Sequence, residues 1–203
     1  MAQPSTQWSE VVGDDEQQRH EDFARVITGL QSRTNERKGP GRAFHRKPVA
    51  ALTGRLTVPG GLPEYAAQGL FAQPGEYDVV IRMSNGSVVP QPDPVPDIRG
   101  FAFSVRGLDA PGALGGTTDR QDFLLINWPA FGFRDSRDFA ELVPAAARGQ
   151  KALAQHLISK HGVLGGPVEM LKQAAGMARP FSGFATSDFH SCVPVAWGPY
   201  AAH

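Results

Sequence analysis

The stretch YDVVIRMS, Tyr77 to Ser84, alternates with a period of two. Tyr77, Val79, Ile81 and Met83 point one way, and Asp78, Val80, Arg82 and Ser84 the other. That period predicts a strand with one apolar face. Three neighbouring segments read the same way. ALTGRLTV (51–58) places Leu52, Leu56 and Val58 on one face. IRGFAFSVRGL (98–108) and the nearly continuous apolar run DFLLINW (122–128) are predicted as further strands. Between them lie a turn-rich PGGLPEY, a stiff PQPDPVPD (90–97) and a glycine-rich loop, DAPGALGGTTD. In PQPDPVPD each proline fixes φ and removes a donor. Helices are predicted at the flanks. Residues 14–33 carry Phe23, Val26, Ile27 and Leu30 at helical spacing behind a cap at Asp14 or Asp15. Residues 136–178 read as two or three helical pieces, split at Gly149 and Gly162–Pro167. Strands do not alternate with helices, so the expected class is α+β, an antiparallel sheet or barrel with helices beside it. The expected organisation is a flexible stretch 1–13 followed by one domain, 14–203.

Composition narrows the function classes. Lys+Arg and Asp+Glu are 20 each in 203 residues, a balance that argues against broad nucleic-acid binding. The single cysteine, Cys192, excludes an internal disulfide and a cysteine-built metal cage. His190 lies near it, but no third ligand has suitable spacing, so no metal site is predicted from side chains. MAQPSTQWSEVV lacks the basic start and apolar run of a signal peptide. No apolar stretch reaches the roughly 18 residues of a membrane span. The expected location is the cytoplasm.

Four segments carry polar groups out of place for plain core strands. GRAFHRKP (41–48) sets His45 among Arg42, Arg46 and Lys47. Cations beside an imidazole lower its pKa, which leaves a neutral base near pH 7. IRMS carries Arg82 and Ser84 on one face, RGFAF carries Arg99, and DFLLIN ends in Asn127. An arginine inside an apolar strand is costly unless paired. A carboxylate or propionate on a ligand would satisfy it, and so would Asp78 or Asp97 as structural partners. Asn127 reads equally as a cap before Trp128-Pro129, and Ser84 as the end of a strand before the turn pair Asn85-Gly86.

In this order and spacing the four segments resemble the haem catalases, in particular their smaller catalase-like, peroxidase-related branch. RAFHRKPVAALTGRLTV, IRMS, RGFA and DFLLINWPAFGFRDSRDF carry the resemblance, over about residues 20–142. It implies an antiparallel β-barrel of the catalase type, incomplete in this chain, and a b-type haem. It implies His45 and Asn127 as the catalytic pair that cleaves a peroxide O–O bond. It implies Arg42 and Arg82 on the haem propionates, Ser84 on the imidazole, and Phe131 and Phe139 around the haem. The implied partner is a small peroxide, hydrogen peroxide or an organic hydroperoxide, with further copies of the same chain as an option. The sequence also departs from the family. Arg46-Lys47-Pro48 follows the histidine where catalases have Ala-Lys-Gly. Catalases ligate iron through a tyrosine with arginine four residues before it. Tyr65, Tyr77 and Tyr200 are instead preceded at that distance by Gly61, Gln73 and Ala196. VPVAWGPYAA reads as the start of a further barrel strand. Two expectations follow: a haem-dependent peroxide enzyme or hydroperoxide isomerase, or a non-catalytic barrel fragment without haem.

Overall fold

The computed structural model describes residues 4–112, 115–130, 132–133, 135–177 and 180–202. The alternating stretch lies within a longer strand, β2 (Gly75–Asn85). It pairs antiparallel with β1 (Lys47–Val58) and β3 (Arg99–Pro111), and β3 pairs with β4 (Thr117–Ile126). The sheet order is β1-β2-β3-β4, a meander. β1 begins four residues before the predicted segment. β3 and β4 run into the predicted glycine-rich loop, so that hairpin is longer than its sequence suggests.

The register sorts the side chains into two faces. Leu52, Ile81, Phe103 and Phe123 form one row of the packed face, and Ala50, Met83, Phe101 and Leu125 form the next. Phe103 stacks on Phe123 with ring centroids 4.6 Å apart. Phe71, from a short 3₁₀ turn at Gly69–Phe71, lies 6.0 Å from Phe123, and Phe189 lies 5.4 Å from Phe101. Trp197, on the β5 (Val195–Trp197) to β6 (Tyr200–Ala202) hairpin, packs at 5.2 Å on Phe71. Val79 and Val105 are buried in this layer. An open apolar groove of about 590 Å³ runs beside it, lined in part by Tyr65, Phe71, Trp197 and Tyr200. The opposite face is open. Ala51, Arg82, Ala102 and Leu124 form one row and Thr53, Val80, Ser104 and Asp122 another. Leu124 is 70% exposed there. Among the described residues the sheet is open, with the β5–β6 hairpin as a separate two-stranded sheet.

Helix α1 (Glu16–Lys38) ends at Gly39, whose φ of 79° suits glycine. Asp15 occupies its N-cap, but no side-chain cap forms; Oδ1 accepts from Arg19 at 2.7 Å instead. Asp135 does cap α2 (Ser136–Ala147), accepting the Asp138 N–H. α3 (Gln150–Met177) is broken at Gly162, where φ is 77° and ψ 171°. Lys160 ties α3 to α2 through Asp138 and Glu141, each at 2.7 Å. No helix among the described residues is long and apolar enough to cross a membrane.

Candidate functional site

The loop from α1 to β1 carries the histidine, and one buried arginine shapes that loop. Arg46 donates to Asn35 Oδ1 and to the Arg42 carbonyl, both at 3.0 Å, and to the Gly39 carbonyl. A Cβ on Gly41 would lie 2.7 Å from its guanidinium carbon, so a larger residue there would displace the Arg46 guanidinium from its present seat. The loop thus folds around Arg46 and delivers His45 to the end of the sheet.

His45 is held on both sides by main chain. Its N–H donates to the Gly86 carbonyl at 3.0 Å, and its carbonyl accepts from Arg82. Its φ is 49°, in the left-handed region where a residue with a Cβ is strained. Ring atom Nδ1 lies 3.1 Å from Ser84 Oγ. Beneath the ring is Gly100, the β3 partner of Ser84. A Cβ there would sit 2.5 Å from Nδ1 and 2.9 Å from Ser84 Oγ. Glycine is therefore what admits the imidazole to the sheet surface.

Burial of the ring favours its neutral form. Burial lowers the His45 pKa, and the Arg82 and Arg42 guanidiniums push the same way against the nearby Asp97. Arg82 is itself lowered by burial and by Arg42. Neither arginine has a carboxylate in ion-pair reach among the described residues. The expected partners are engaged elsewhere. Asp78 lies 3.9 Å from Arg55, and Asp97 accepts from the Ser87 N–H and hydroxyl at 3.0 and 2.8 Å.

Asn127 follows β4 at the same end of the sheet, since its neighbour Ile126 pairs with Gly100. Its Oδ1 accepts the Arg99 N–H at 2.7 Å, and its own N–H donates to the Arg99 carbonyl at 3.0 Å. Phe139 of α2 packs 5.5 Å from Phe44, next to the histidine. Phe131 lies outside the described residues. Arg42 is exposed on the loop. Arg99 is buried, its guanidinium on the Asp93 and Val95 carbonyls at 2.8 and 3.3 Å. Neither of its predicted carboxylate partners takes it. Gly100 and Arg46 were not singled out from sequence. A glycine inside a strand pattern is the signal that points to the first. Among the described residues no group of three or more His, Cys, Asp or Glu is placed to hold a metal ion.

Two expected outcomes test this geometry. Ser84→Ala leaves the half-buried Nδ1 without its partner and lowers stability by about 1–2 kcal/mol. Nitrogen-15 spectra of the ring should show mixed tautomers in place of one. The second concerns pH. A histidine whose folded pKa is depressed resists protonation in the native state, while the unfolded chain protonates near 6.5. Stability is thus unaffected by His45 above about pH 6.5 and is lost as pH falls from there towards the depressed folded value. His45→Gln should flatten the fall in melting temperature between about pH 7 and 5; an unchanged slope would count against the burial of the ring.

No family model matches the chain, and no curated protein matches it. Solved structures similar to it include two catalases. One is a structure of a bacterial catalase, at 22% identity and a TM-score of 0.43, with 77% of this chain and 29% of that chain covered. The other is a crystal structure of a fungal catalase, at 15% identity and 0.45, with 81% and 31% covered. The chain thus spans under a third of the length of these catalases.

Proposed function

We propose that this chain carries the peroxide-facing side of a haem-dependent oxidoreductase, with His45 and Asn127 as its catalytic pair. One observation carries the reading. A neutral-leaning histidine is held in a strained conformation against Ser84 and Gly100, beside two arginines that lack carboxylates. Backbone strain of this kind persists where surrounding structure enforces it, commonly at functional sites.

The residues fit one side of a haem. Arg42 and Arg82 would take its propionates. In the row of Arg82, the residues Ala51, Ala102 and Leu124 offer a shelf of small and apolar side chains for the ring. Phe139 closes the side next to Phe44. When bound, the haem iron supplies the electrons for O–O cleavage. The protein's own part is proton movement and orientation. With Nδ1–H given to Ser84 Oγ, Nε2 is the bare nitrogen that accepts the peroxide proton. Asn127 Nδ2 makes no hydrogen bond among the described residues and is free to donate to a peroxide oxygen. Hydrogen peroxide and small organic hydroperoxides both suit these two groups. We place the protein in the cytoplasm, in keeping with its lone cysteine.

The test is haem titration into the full chain, read by a Soret band, followed by peroxide turnover. A chain that binds haem with wild-type strength after Arg42 and Arg82 are both changed to Leu would sink the assignment of the propionate site. A second reading, a barrel-derived fragment without haem, is favoured by the tyrosines. Tyr77 belongs to the packed face, and Tyr65 and Tyr200 line the groove beside it. No haem uptake in that titration would select this reading.

A further inference from the structure

We propose that Arg99 is the positioning residue of Asn127, the residue that decides which end of its carboxamide is free to donate. The inference rests on the peroxide reading for its functional meaning, though not for its geometry. A main-chain N–H can bond only an acceptor, so the Asn127 atom 2.7 Å from Arg99 N is the oxygen, Oδ1. Nδ2 is then the outward end. Asn127 N–H closes a second bond to the Arg99 carbonyl at 3.0 Å. One peptide segment thereby sets both the main chain and the side chain of Asn127.

Pairing to Asn85 holds that segment in the sheet, and the Arg99 side chain, which is 6% exposed, ties it to the neighbouring loop. Its Nη2 donates to the Asp93 carbonyl at 2.8 Å and the Val95 carbonyl at 3.3 Å, both in the proline-rich loop. Its guanidinium lies over the Phe181 ring, 5.3 Å from the centroid. The Asp93 carboxylate bonds Lys47 at 2.8 Å and Asn85 at 3.1 Å, not Arg99. The guanidinium grips two carbonyls and an aromatic face with no carboxylate in ion-pair contact, the Asp93 charge acting on it only at longer range, and Nε is buried without a partner among the described residues. Burying a charge this way is costly. Loop, arginine and asparagine form one chain of contacts from the surface to the donor. The arginine acts through Asn127 and does not itself touch substrate.

The experiment uses the full chain with Arg99→Gln, Arg99→Lys and Asn127→Asp. Asn127→Asp keeps the acceptor but has no Nδ2, and so assigns the side-chain amide signals. In wild type, Asn127 should give a resolved pair of side-chain amide protons and a protected residue-99 amide. Arg99→Gln should collapse the pair towards free-amide positions and speed exchange at residue 99 by about tenfold, the loss of one net hydrogen bond. Exchange at Val105 should stay unchanged, and Arg99→Lys should recover part of both effects. If the chain takes up haem, Arg99→Gln should lower kcat for peroxide about tenfold with KM little changed, and Asn127→Asp should lower it about 10²-fold. Should wild type take up no haem, the peroxide reading falls while the amide signals still decide the role of Arg99. Unchanged Asn127 signals in Arg99→Gln would overturn the proposal, as would equal acceleration at residue 99 and Val105. If Arg99→Gln does not fold, Phe181→Leu serves instead. Faster exchange at residue 99 alone supports the proposal, and no change overturns it.

Discussion

Gly100→Ala should lower stability by about 1–3 kcal/mol, the usual cost of an overfilled site, and, on the proposed peroxide reading, remove most turnover. The added Cβ would stand 2.5 Å from His45 Nδ1, 2.7 Å from Cε1 and 2.9 Å from Ser84 Oγ. All three lie well inside van der Waals contact. The sheet cannot retreat, because Gly100 is paired to Ser84 on one side and to Ile126 on the other. The imidazole must move, and its bond to Ser84 is broken. Misplacing a catalytic base costs about 10²-fold or more in rate. Gly54→Ala is the control. It lies in the same sheet, yet its Cβ would meet Ile81 and Val79 at 3.6 Å, ordinary contact. Thermal melts and turnover of both variants check the expectation. Equal behaviour of the two would remove the tight approach at Gly100 from the account.

Changing His45 itself separates chemistry from stability. If His45 is the proposed base, His45→Ala and His45→Gly should each lose about 10²–10⁴-fold in peroxide turnover. Their stabilities should differ. Residue 45 has φ of 49°, which costs a residue with a Cβ about 1–2 kcal/mol and glycine almost nothing. His45→Gly should therefore be more stable than His45→Ala by about 1 kcal/mol in denaturant melts. If alanine is the more stable, the left-handed conformation of residue 45 is wrong, and the ring's placement goes with it.

Much of the fold could be read from period and turn residues. The alternation at Tyr77–Ser84 gave the two faces of β2, and that of Leu52 and Leu56 gave one face of β1, which the register pairs with Ile81 and Tyr77. The helical spacing of Phe23 to Leu30 gave α1, and Gly149 divides the helices as expected. Local chemistry that depends on a distant partner was harder to read. Asp15 stands at the right place to cap α1, yet Arg19 competes for its carboxylate. Arg82 and Arg99 were recognised as needing partners, but both use main-chain carbonyls, which no side-chain pattern reveals. The extra length of β3 and β4 lies in glycine-rich sequence with poor strand propensity, held there by pairing across the hairpin. The site was legible as a set of residue types, His45, Arg82, Ser84 and Asn127, because each is unusual in its segment. Its geometry was not, since Gly100 and Arg46 act by shape and by main-chain bonds.

The register between β1 and β2 shifts between Pro48 and Ala50. Pro48 faces Ser84, and Ala51 rather than Ala50 faces Arg82, so Val49 is one residue too many in the ladder. That extra residue works as a phase shifter between the histidine loop and the strand it feeds. Loss of Val49 would leave every other residue of the chain unchanged. It would force a choice: either the leucines of β1 keep the packed face and the loop twists out of step, or His45 keeps its seat and the leucines turn outward. A lineage could lengthen the Gly112–Gly116 end of the β3–β4 hairpin freely, but a one-residue deletion at the bulge would uncouple the fold from its site in a single step.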